Sequence, residues 1–241
     1  MAQRRPLMTL RDGALPQAQF RRLLRRVRAV GRERLRSTYQ TTFWFDFSHP
    51  TSVVEETILA LRPYLPSLRG LRGVEWWLSR MRTTHVQVDF HQDRDEKLAL
   101  AGGPLVHPRF SSVLFLNRVR GGLLAVTRDP PCEENPSKAP KRLDFELAAP
   151  RPNRLALFRG DLTHGVLDAN NAIPDRPLPG SSRLRLALIM NWWHVRPTGV
   201  PTFAETRLYR ALAVGHSDRN SRGLRTHRAP SAGHLTKPHG L

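Results

Sequence analysis

The stretch HVQVDFHQD, residues 85–93, decides how the rest of the chain is interpreted. Polar and apolar side chains alternate from its start to Phe90, which is the pattern of a β-strand with one polar face. The polar face would carry two imidazoles, two carboxylates and an amide, from His85, Gln87, Asp89, His91 and Asp93. Such a face is typical either of a solvent-facing sheet or of a metal site, and the rest of the sequence must decide between them.

The sequence after residue 85 alternates short strand-like segments with turns. The predicted strands cover 85–91, 111–117, 122–127, 142–148, 153–159, 163–168 and 183–193. This spacing predicts a sheet, a sandwich or a barrel. Two long connections rich in proline and polar residues, 128–141 and 170–182, interrupt the strands. Loops of this length in a compact domain are usually functional lids or disordered insertions.

The N-terminal region predicts helices that flank the sheet. Apolar residues recur at helical spacing over 16–36, with arginines largely on the opposite side. The simpler interpretation is a helix packed on the sheet with its arginines in water, and the alternative is a surface for nucleic acid or anionic lipid. A strand over 41–47 and a helix over 52–64 follow, and we assign His49, between them, to a turn.

Charge and cysteine content limit the function classes. The formal net charge is +19, and the two ends carry most of it, since residues 1–40 contain 11 arginines against Asp12 and Glu33. The single cysteine, Cys132, excludes an intrachain disulfide and a thiolate zinc cluster. Without a signal-peptide pattern or a long apolar segment, we expect a soluble, cytoplasmic protein.

Three segments are expected along the chain. Residues 1–84 would supply a basic helix, a strand and a helix that pack on the core. Residues 85–214 would form the β core, which makes the fold mainly β with flanking helices. Residues 215–241 have few apolar residues and no periodicity, so we expect a disordered basic tail.

The metal question turns on His91-Gln92-Asp93. In a chain of this composition, the number of His-x-Asp pairs expected by chance is about one half, so the pair alone is weak evidence for a metal site. A second pair, His216-Ser217-Asp218, lies in the predicted tail without a scaffold. The first pair places both side chains on one face at the end of a strand, roughly 7 Å apart at the backbone. With His164, which follows an apolar strand and a Gly-Asp turn, it gives two imidazoles and one carboxylate, the facial set that leaves positions open on Fe(II).

Residues 85–193 resemble the Fe(II)/2-oxoglutarate-dependent oxygenases, and within them the prolyl-hydroxylase-like branch. His91-x-Asp93 and His164 in GDLTHGV match the family's iron ligands. The segment 112–117, SVLFLN, followed by two glycines, looks like the family's YLN and GG-x-L motif. The segment 185–192, RLALIMNW, looks like its final strand, which begins with the arginine that binds the distal carboxylate of 2-oxoglutarate.

This resemblance implies a double-stranded β-helix, or jelly-roll, barrel that holds Fe(II) and uses 2-oxoglutarate and molecular oxygen as cosubstrates. The implied reaction hydroxylates a peptidyl, amino-acid or small-molecule substrate and releases succinate and carbon dioxide. Arg185 is the expected cosubstrate ligand, and Arg183, with the same strand parity, is the other candidate. His85, Gln87 and Asp89 would line the substrate pocket or make polar contacts inside the barrel.

The sequence departs from the family pattern at two places near the expected pocket. Phe115 stands where the family often has a tyrosine that helps to bind the distal carboxylate. The 21 positions from His164 to Arg185 exceed the usual family spacing, with the insertion at 170–182. Asp93, in place of a small residue, argues against the halogenating variant of the family.

Two other functions remain open. The chain could be a non-catalytic barrel that binds nucleic acid through its basic helix and tail. It could also be a metal-dependent enzyme that uses the same three ligands without 2-oxoglutarate.

Overall fold

The computed structural model describes residues 6–37, 41–80, 90–119, 121–131, 145–167, 185–206 and 208–214. The predicted strand 85–91 is therefore described only at its last two residues. Arg183, most of both long connections and the tail from 215 onward lie outside the described residues, as do His85, Gln87 and Asp89.

The described residues form two antiparallel sheets and a small number of helices. The strands are β1 (Met8–Asp12), β2 (Phe43–Phe45), β3 (Gly73–Arg80), β4 (Phe110–Phe115), β5 (Leu123–Thr127), β6 (Glu146–Ala148), β7 (Arg154–Arg159), β8 (Thr163–Leu167) and β9 (Leu186–Trp193). The helices are α1 (Gln17–Val30), α2 (Arg32–Ser37), α3 (Val53–Leu61), α4 (Glu96–Leu100) and α5 (Phe203–Thr206), with 3₁₀ turns η1 (Arg62–Tyr64) and η2 (Arg210–Leu212). Within the described residues, no helix is both long and apolar enough to cross a bilayer.

A six-stranded sheet, in the order β1-β7-β4-β9-β3-β2, forms the larger layer. Its strands alternate, so that Val74, Trp76 and Leu78 of β3 face the helices while the intervening side chains face the other way. Helices α1 and α3 cover the first face, and residues such as Leu23 and Ile58 are fully buried there. This burial explains why an arginine-rich segment is helical: its apolar stripe is needed to cover the sheet.

The opposite face of the large sheet meets a three-stranded sheet, in the order β6-β5-β8. Val113 and Phe115 of β4 and Ala187 of β9 pack there against Leu124 and Val126 of β5, which are all buried. The space between the two sheets is therefore lined by alternate residues of both, and it contains the candidate site.

The prediction of a mainly β chain with flanking helices is confirmed. The predicted helix 16–36 is divided by Gly31, whose φ of 87° is unfavourable for other residues, into α1 and α2. The predicted helix 52–64 begins after Ser52, whose side chain accepts a hydrogen bond from the Glu55 backbone in a capping box.

Strands β1 and β3 lie in regions where the sequence predicted no strand. In β3 the apolar residues Trp76 and Trp77 are adjacent, so they face opposite ways and conceal the alternation. The division of the chain at residues 84 and 214 stays a prediction. Strands β1 and β3, from before residue 84, pair with β7 and β9, from after it.

Candidate metal centre

Three residues that the sequence singled out lie together between the two sheets. Metal-binding atoms of His91, Asp93 and His164 all lie within 4.8 Å of one another. The Nε2 atom of His91 is 3.7 Å from Asp93 Oδ1, and the Nε2 atom of His164 is 3.5 Å from Asp93 Oδ2. Two imidazoles and one carboxylate thus converge on one point, as the facial set requires.

The backbone holds the two histidines in register. His91 donates its N–H to the carbonyl of His164 at 3.0 Å, and His164 donates to the carbonyl of His91 at 2.9 Å. This antiparallel bridge extends the small sheet beyond β8 and brings the two imidazole rings to a centroid separation of 4.5 Å. His91 and His164 lie 73 positions apart in the chain, and one reciprocal pair of hydrogen bonds joins them.

The ring of His164 is oriented for coordination through Nε2. Its Nδ1 lies 3.1 Å from the carbonyl oxygen of Leu162, which can only accept, so Nδ1 carries the hydrogen. Nε2 is then the lone-pair nitrogen, and it faces Asp93. Burial lowers the pKa of His164, against the opposing effect of the Asp93 charge, so the neutral form that a metal needs is favoured near pH 7.

Asp93 is buried and held in its ionised form. Ser111 donates a hydrogen bond of 2.6 Å from its hydroxyl to Asp93 Oδ2. Burial alone would raise the pKa of Asp93, but the electrostatic interactions with His164 and His91 and the hydrogen bond from Ser111 keep it well below the usual value. Both shifts therefore favour the protonation states that bind a cation.

The segment that carries Asp93 is fixed on each side. The Gln92 side chain donates to the carbonyl of Asp161, in the turn before β8, at 3.0 Å. Asp95 accepts from the backbone N–H and the hydroxyl of Thr198 at 2.8 and 2.9 Å, and from the Leu98 N–H at the start of α4. The ligands are consequently tied to both sheets and to the segment after β9.

The three ligands line a cavity of about 130 Å³ that extends between the sheets. Arg185 lines the same cavity and is only 2% exposed. Its guanidinium carbon lies 5.1 Å from the centre of the Phe115 ring, within the range of a cation–π contact. The cavity therefore combines a cation site with a buried, permanently positive group.

The predicted ligands His91, Asp93 and His164 thus lie together, with Arg185 on the same cavity. The structure also shows cavity-lining residues that the sequence did not indicate, chiefly Ser111 and the half-buried Trp77. Ser111 could have been noticed because strand parity in 111–117 places it on one face with Val113 and Phe115. His49 is exposed on the segment after β2, in agreement with a turn.

A further carboxyl group lies behind the ligands. Glu75 of β3 is paired in register with Asn191 of β9, which is paired in turn with Ser111 of β4. Burial, with the negative charges of Asp93 and Asp95, raises the pKa of Glu75 to about 7. Its carboxyl is therefore protonated well above the pH at which an exposed glutamate ionises.

Several solved structures are similar to this chain at low identity. A Pseudomonas putida prolyl-4-hydroxylase matches with 19% identity over 79% of this chain and 87% of its own, at a TM-score of 0.45. HygX from Streptomyces hygroscopicus with nickel, 2-oxoglutarate and hygromycin B bound matches with 12% identity over 80% and 84%, at 0.48. A Trichoplax adhaerens prolyl hydroxylase with a hypoxia inducible factor peptide fragment matches with 12% identity over 78% and 84%, at 0.43.

No protein-family model matches the sequence, and no curated protein matches it. Because the structural matches are at low TM-scores and identities, the functional proposal rests on the chain's own geometry.

Replacing Ser111 should weaken metal binding through Asp93. Ser111→Ala removes the donor to Asp93 Oδ2, so the carboxylate loses its fixed orientation and metal affinity should fall about tenfold. Titration with Co(II) under anaerobic conditions, followed by visible absorption, measures this affinity. Ser112→Ala is the matched control, because Ser112 is equally buried but hydrogen-bonds Trp192 and Met190 instead. Equal losses in the two variants would show that the Asp93 contact is unimportant.

Glu75 should make stability fall as pH rises. The folded-state pKa lies above the unfolded value, so the folded state binds more protons between about pH 4.5 and 7, and unfolding becomes easier through that window. Glu75→Gln should abolish this slope and stabilise the metal-free protein at pH 8 by about 1–3 kcal/mol, with little difference at pH 4.5.

Urea unfolding at several pH values measures the effect of Glu75→Gln. Glu96→Gln is the control, because Glu96 is exposed. Its free energy of unfolding should depend on pH in the same way as that of the parent protein. If the free energy of unfolding of Glu75→Gln also follows that of the parent protein at every pH, the assignment of a raised pKa to Glu75 is wrong.

Proposed function

We propose that this chain is an Fe(II)- and 2-oxoglutarate-dependent dioxygenase that hydroxylates an organic substrate and releases succinate and carbon dioxide. The proposal includes a double-stranded β-helix core formed by the two sheets. The observation that carries it is the convergence of His91, Asp93 and His164 in the wall of a cavity that is also lined by the buried Arg185.

The donor set fits Fe(II). Two imidazole nitrogens and one carboxylate occupy three neighbouring positions and leave the others for a chelating cosubstrate and for oxygen. The lone pair on His164 Nε2 and the ionised Asp93 need no proton loss before they bind a cation at neutral pH. When bound, the metal would supply the oxygen chemistry, while the protein fixes the three ligands.

The cavity fits a small dicarboxylate. Its volume is below the roughly 300–1,000 Å³ of pockets for drug-sized ligands, so the interior is suited to the cosubstrate rather than to a large substrate. The guanidinium of Arg185 can pair with the distal carboxylate through two parallel hydrogen bonds. A low-dielectric setting between the sheets strengthens this pair relative to one in water.

Phe115 gives Arg185 a different support from that of a tyrosine. Its ring is fully buried beneath the guanidinium and has no hydroxyl to offer the ligand. We propose that the aromatic face orients Arg185 instead, so that Arg185 carries the recognition of the distal carboxylate. Arg183, outside the described residues, remains the second candidate for that role.

The walls near the ligands are largely apolar. Leu124 and Val166 of the small sheet and Ile189 and Phe158 of the large sheet line the cavity. These side chains would keep bulk water from the reacting atoms and limit the loss of reactive species.

We propose a peptidyl, amino-acid or small natural-product substrate that lies at the mouth of the cavity, in a soluble cytoplasmic protein.

Anaerobic addition of Fe(II) and then 2-oxoglutarate to the full chain tests the function. We expect a weak visible charge-transfer absorption that requires both additions, and oxygen-dependent conversion of 2-oxoglutarate to succinate. His164→Ala should lose the absorption because it removes a metal ligand. A folded, metal-loaded protein without this absorption or any 2-oxoglutarate turnover would contradict the proposal and favour the metal enzyme without 2-oxoglutarate or the non-catalytic barrel.

Substitution of Arg185 should affect 2-oxoglutarate selectively. Arg185→Gln removes the charge, and we expect the 2-oxoglutarate concentration for half-maximal absorption to rise at least about tenfold while Fe(II) affinity stays unchanged. Arg185→Lys keeps the charge but loses the fork geometry, so its loss should be intermediate. An unchanged 2-oxoglutarate requirement in Arg185→Gln would transfer the role to another residue, with Arg183 the first to test.

A further inference from the structure

The outer face of α1 carries a row of exposed arginines. Arg21, Arg25 and Arg28 share this face. Successive members are three or four residues apart, which corresponds to about 4.5–6 Å along the helix axis. The row therefore places three arginines along about 10 Å of one helix face.

Several exposed arginines elsewhere in the described residues have acidic neighbours. The pairs are Arg94 with Glu96, Arg151 with Asp12, Arg159 with Asp161, and Arg196 with Glu205. In α1 itself, Arg22 pairs with Glu56 of α3. Within the part of the chain that the structure describes, Arg21, Arg25 and Arg28 form no ion pair or hydrogen bond. Arg21, Arg25 and Arg28 thus differ from these acid-paired arginines, and they share one helix face.

The sequence of α1 makes this concentration of charge costly for the isolated helix. The segment QAQFRRLLRRVRAV has no acidic residue, and its first turn contains none to interact with the helix dipole. Arg21 and Arg25, four residues apart, repel each other on the helix surface. An anionic partner along the row would offset that repulsion.

We propose that this α1 row is a docking surface for the phosphate backbone of nucleic acid. A duplex presents one phosphate per strand for about every 3.4 Å of its axis, so flexible arginines 4.5–6 Å apart can each reach a phosphate. Guanidinium groups also match phosphate oxygens in geometry. The contact is with the backbone, so it should have little sequence preference.

A lipid surface fits the row less well. A helix that lies in a membrane interface inserts an apolar face, and the apolar face of α1 is already buried, with Phe20, Leu23 and Val27 against the sheet. The exposed large hydrophobic side chains of the described residues lie outside α1. The free face of α1 is therefore cationic without an apolar component.

The basic surface extends beyond α1. Arg34 and Arg210 border a cavity of about 540 Å³ between the end of α1, α2 and η2. This surface lies on the side of the large sheet opposite to the metal centre, because α1 packs on the other face. Docking there would retain the protein on a polyanion without occupying the candidate catalytic cavity, and it stands independently of the proposed reaction.

Fluorescence anisotropy with a labelled 20-base-pair DNA duplex tests the proposal, on the full chain without added metal. The variant Arg21→Gln/Arg25→Gln/Arg28→Gln should weaken binding about tenfold at 50 mM NaCl and reduce the slope of log affinity against log salt by about 2–3. The control, Arg151→Gln/Arg159→Gln/Arg196→Gln, removes the same charge from acid-paired positions. It should change neither the duplex affinity nor the salt slope strongly. Thermal unfolding of all variants checks that they are folded.

Three outcomes would overturn the proposal. Equal weakening in the two triple variants would mean that only overall charge matters. Unchanged binding in the α1 variant would assign the binding to other basic segments. If the α1 variant loses binding to vesicles that contain phosphatidylserine but retains duplex binding, the row is a membrane-binding surface instead. None of these outcomes depends on 2-oxoglutarate or iron, so failure here is separate from failure of the proposed reaction.

Discussion

The reciprocal hydrogen bonds between His91 and His164 are the contact on which the candidate site depends. They bring residues 73 positions apart into one antiparallel bridge, with N···O distances of 3.0 and 2.9 Å. Once the bridge forms, Asp93 follows two residues later on the same side and reaches both imidazoles. The site is therefore specified by backbone pairing at the start of β8, and the side chains require only short local supports such as Ser111 and Leu162.

The electrostatics of the site suit a bound cation. A buried carboxylate is costly unless it is paired, and here burial opposes ionisation of Asp93 while the imidazoles and the Ser111 hydroxyl support it. Burial also lowers the pKa of His164, so near neutral pH the imidazole does not provide a full compensating charge. A divalent cation among the three ligands would provide that charge. Glu75 does not carry a buried uncompensated charge, because its carboxyl stays protonated to about pH 7.

The sequence predicted that His91, Asp93 and His164 would lie together because the signals for them are local. The alternation up to Phe90 and the Gly-Asp turn before His164 indicated the strand ends from which the ligands project. Ser111 and Glu75 were missed because their importance depends on register: Glu75, Asn191 and Ser111 share one row across β3, β9 and β4. No single-strand pattern shows which residues will be neighbours across a sheet. Strand β3 was missed for a related reason, since both its faces are covered and its adjacent tryptophans hide the alternation.

The two faces of the six-stranded sheet carry different chemistry, and the alternation of strands makes this possible. Along β3, Trp76 packs beneath the helices while Glu75 and Trp77 face the other layer. A change in the arginines of α1 therefore reaches the metal centre only through the buried apolar layer of Leu23, Val27 and their neighbours. Such close-packed layers transmit volume changes, whereas an exposed guanidinium changes no packed volume. The arginine row of α1 and the candidate metal centre can consequently vary independently, and substitutions in one should leave the local geometry of the other intact.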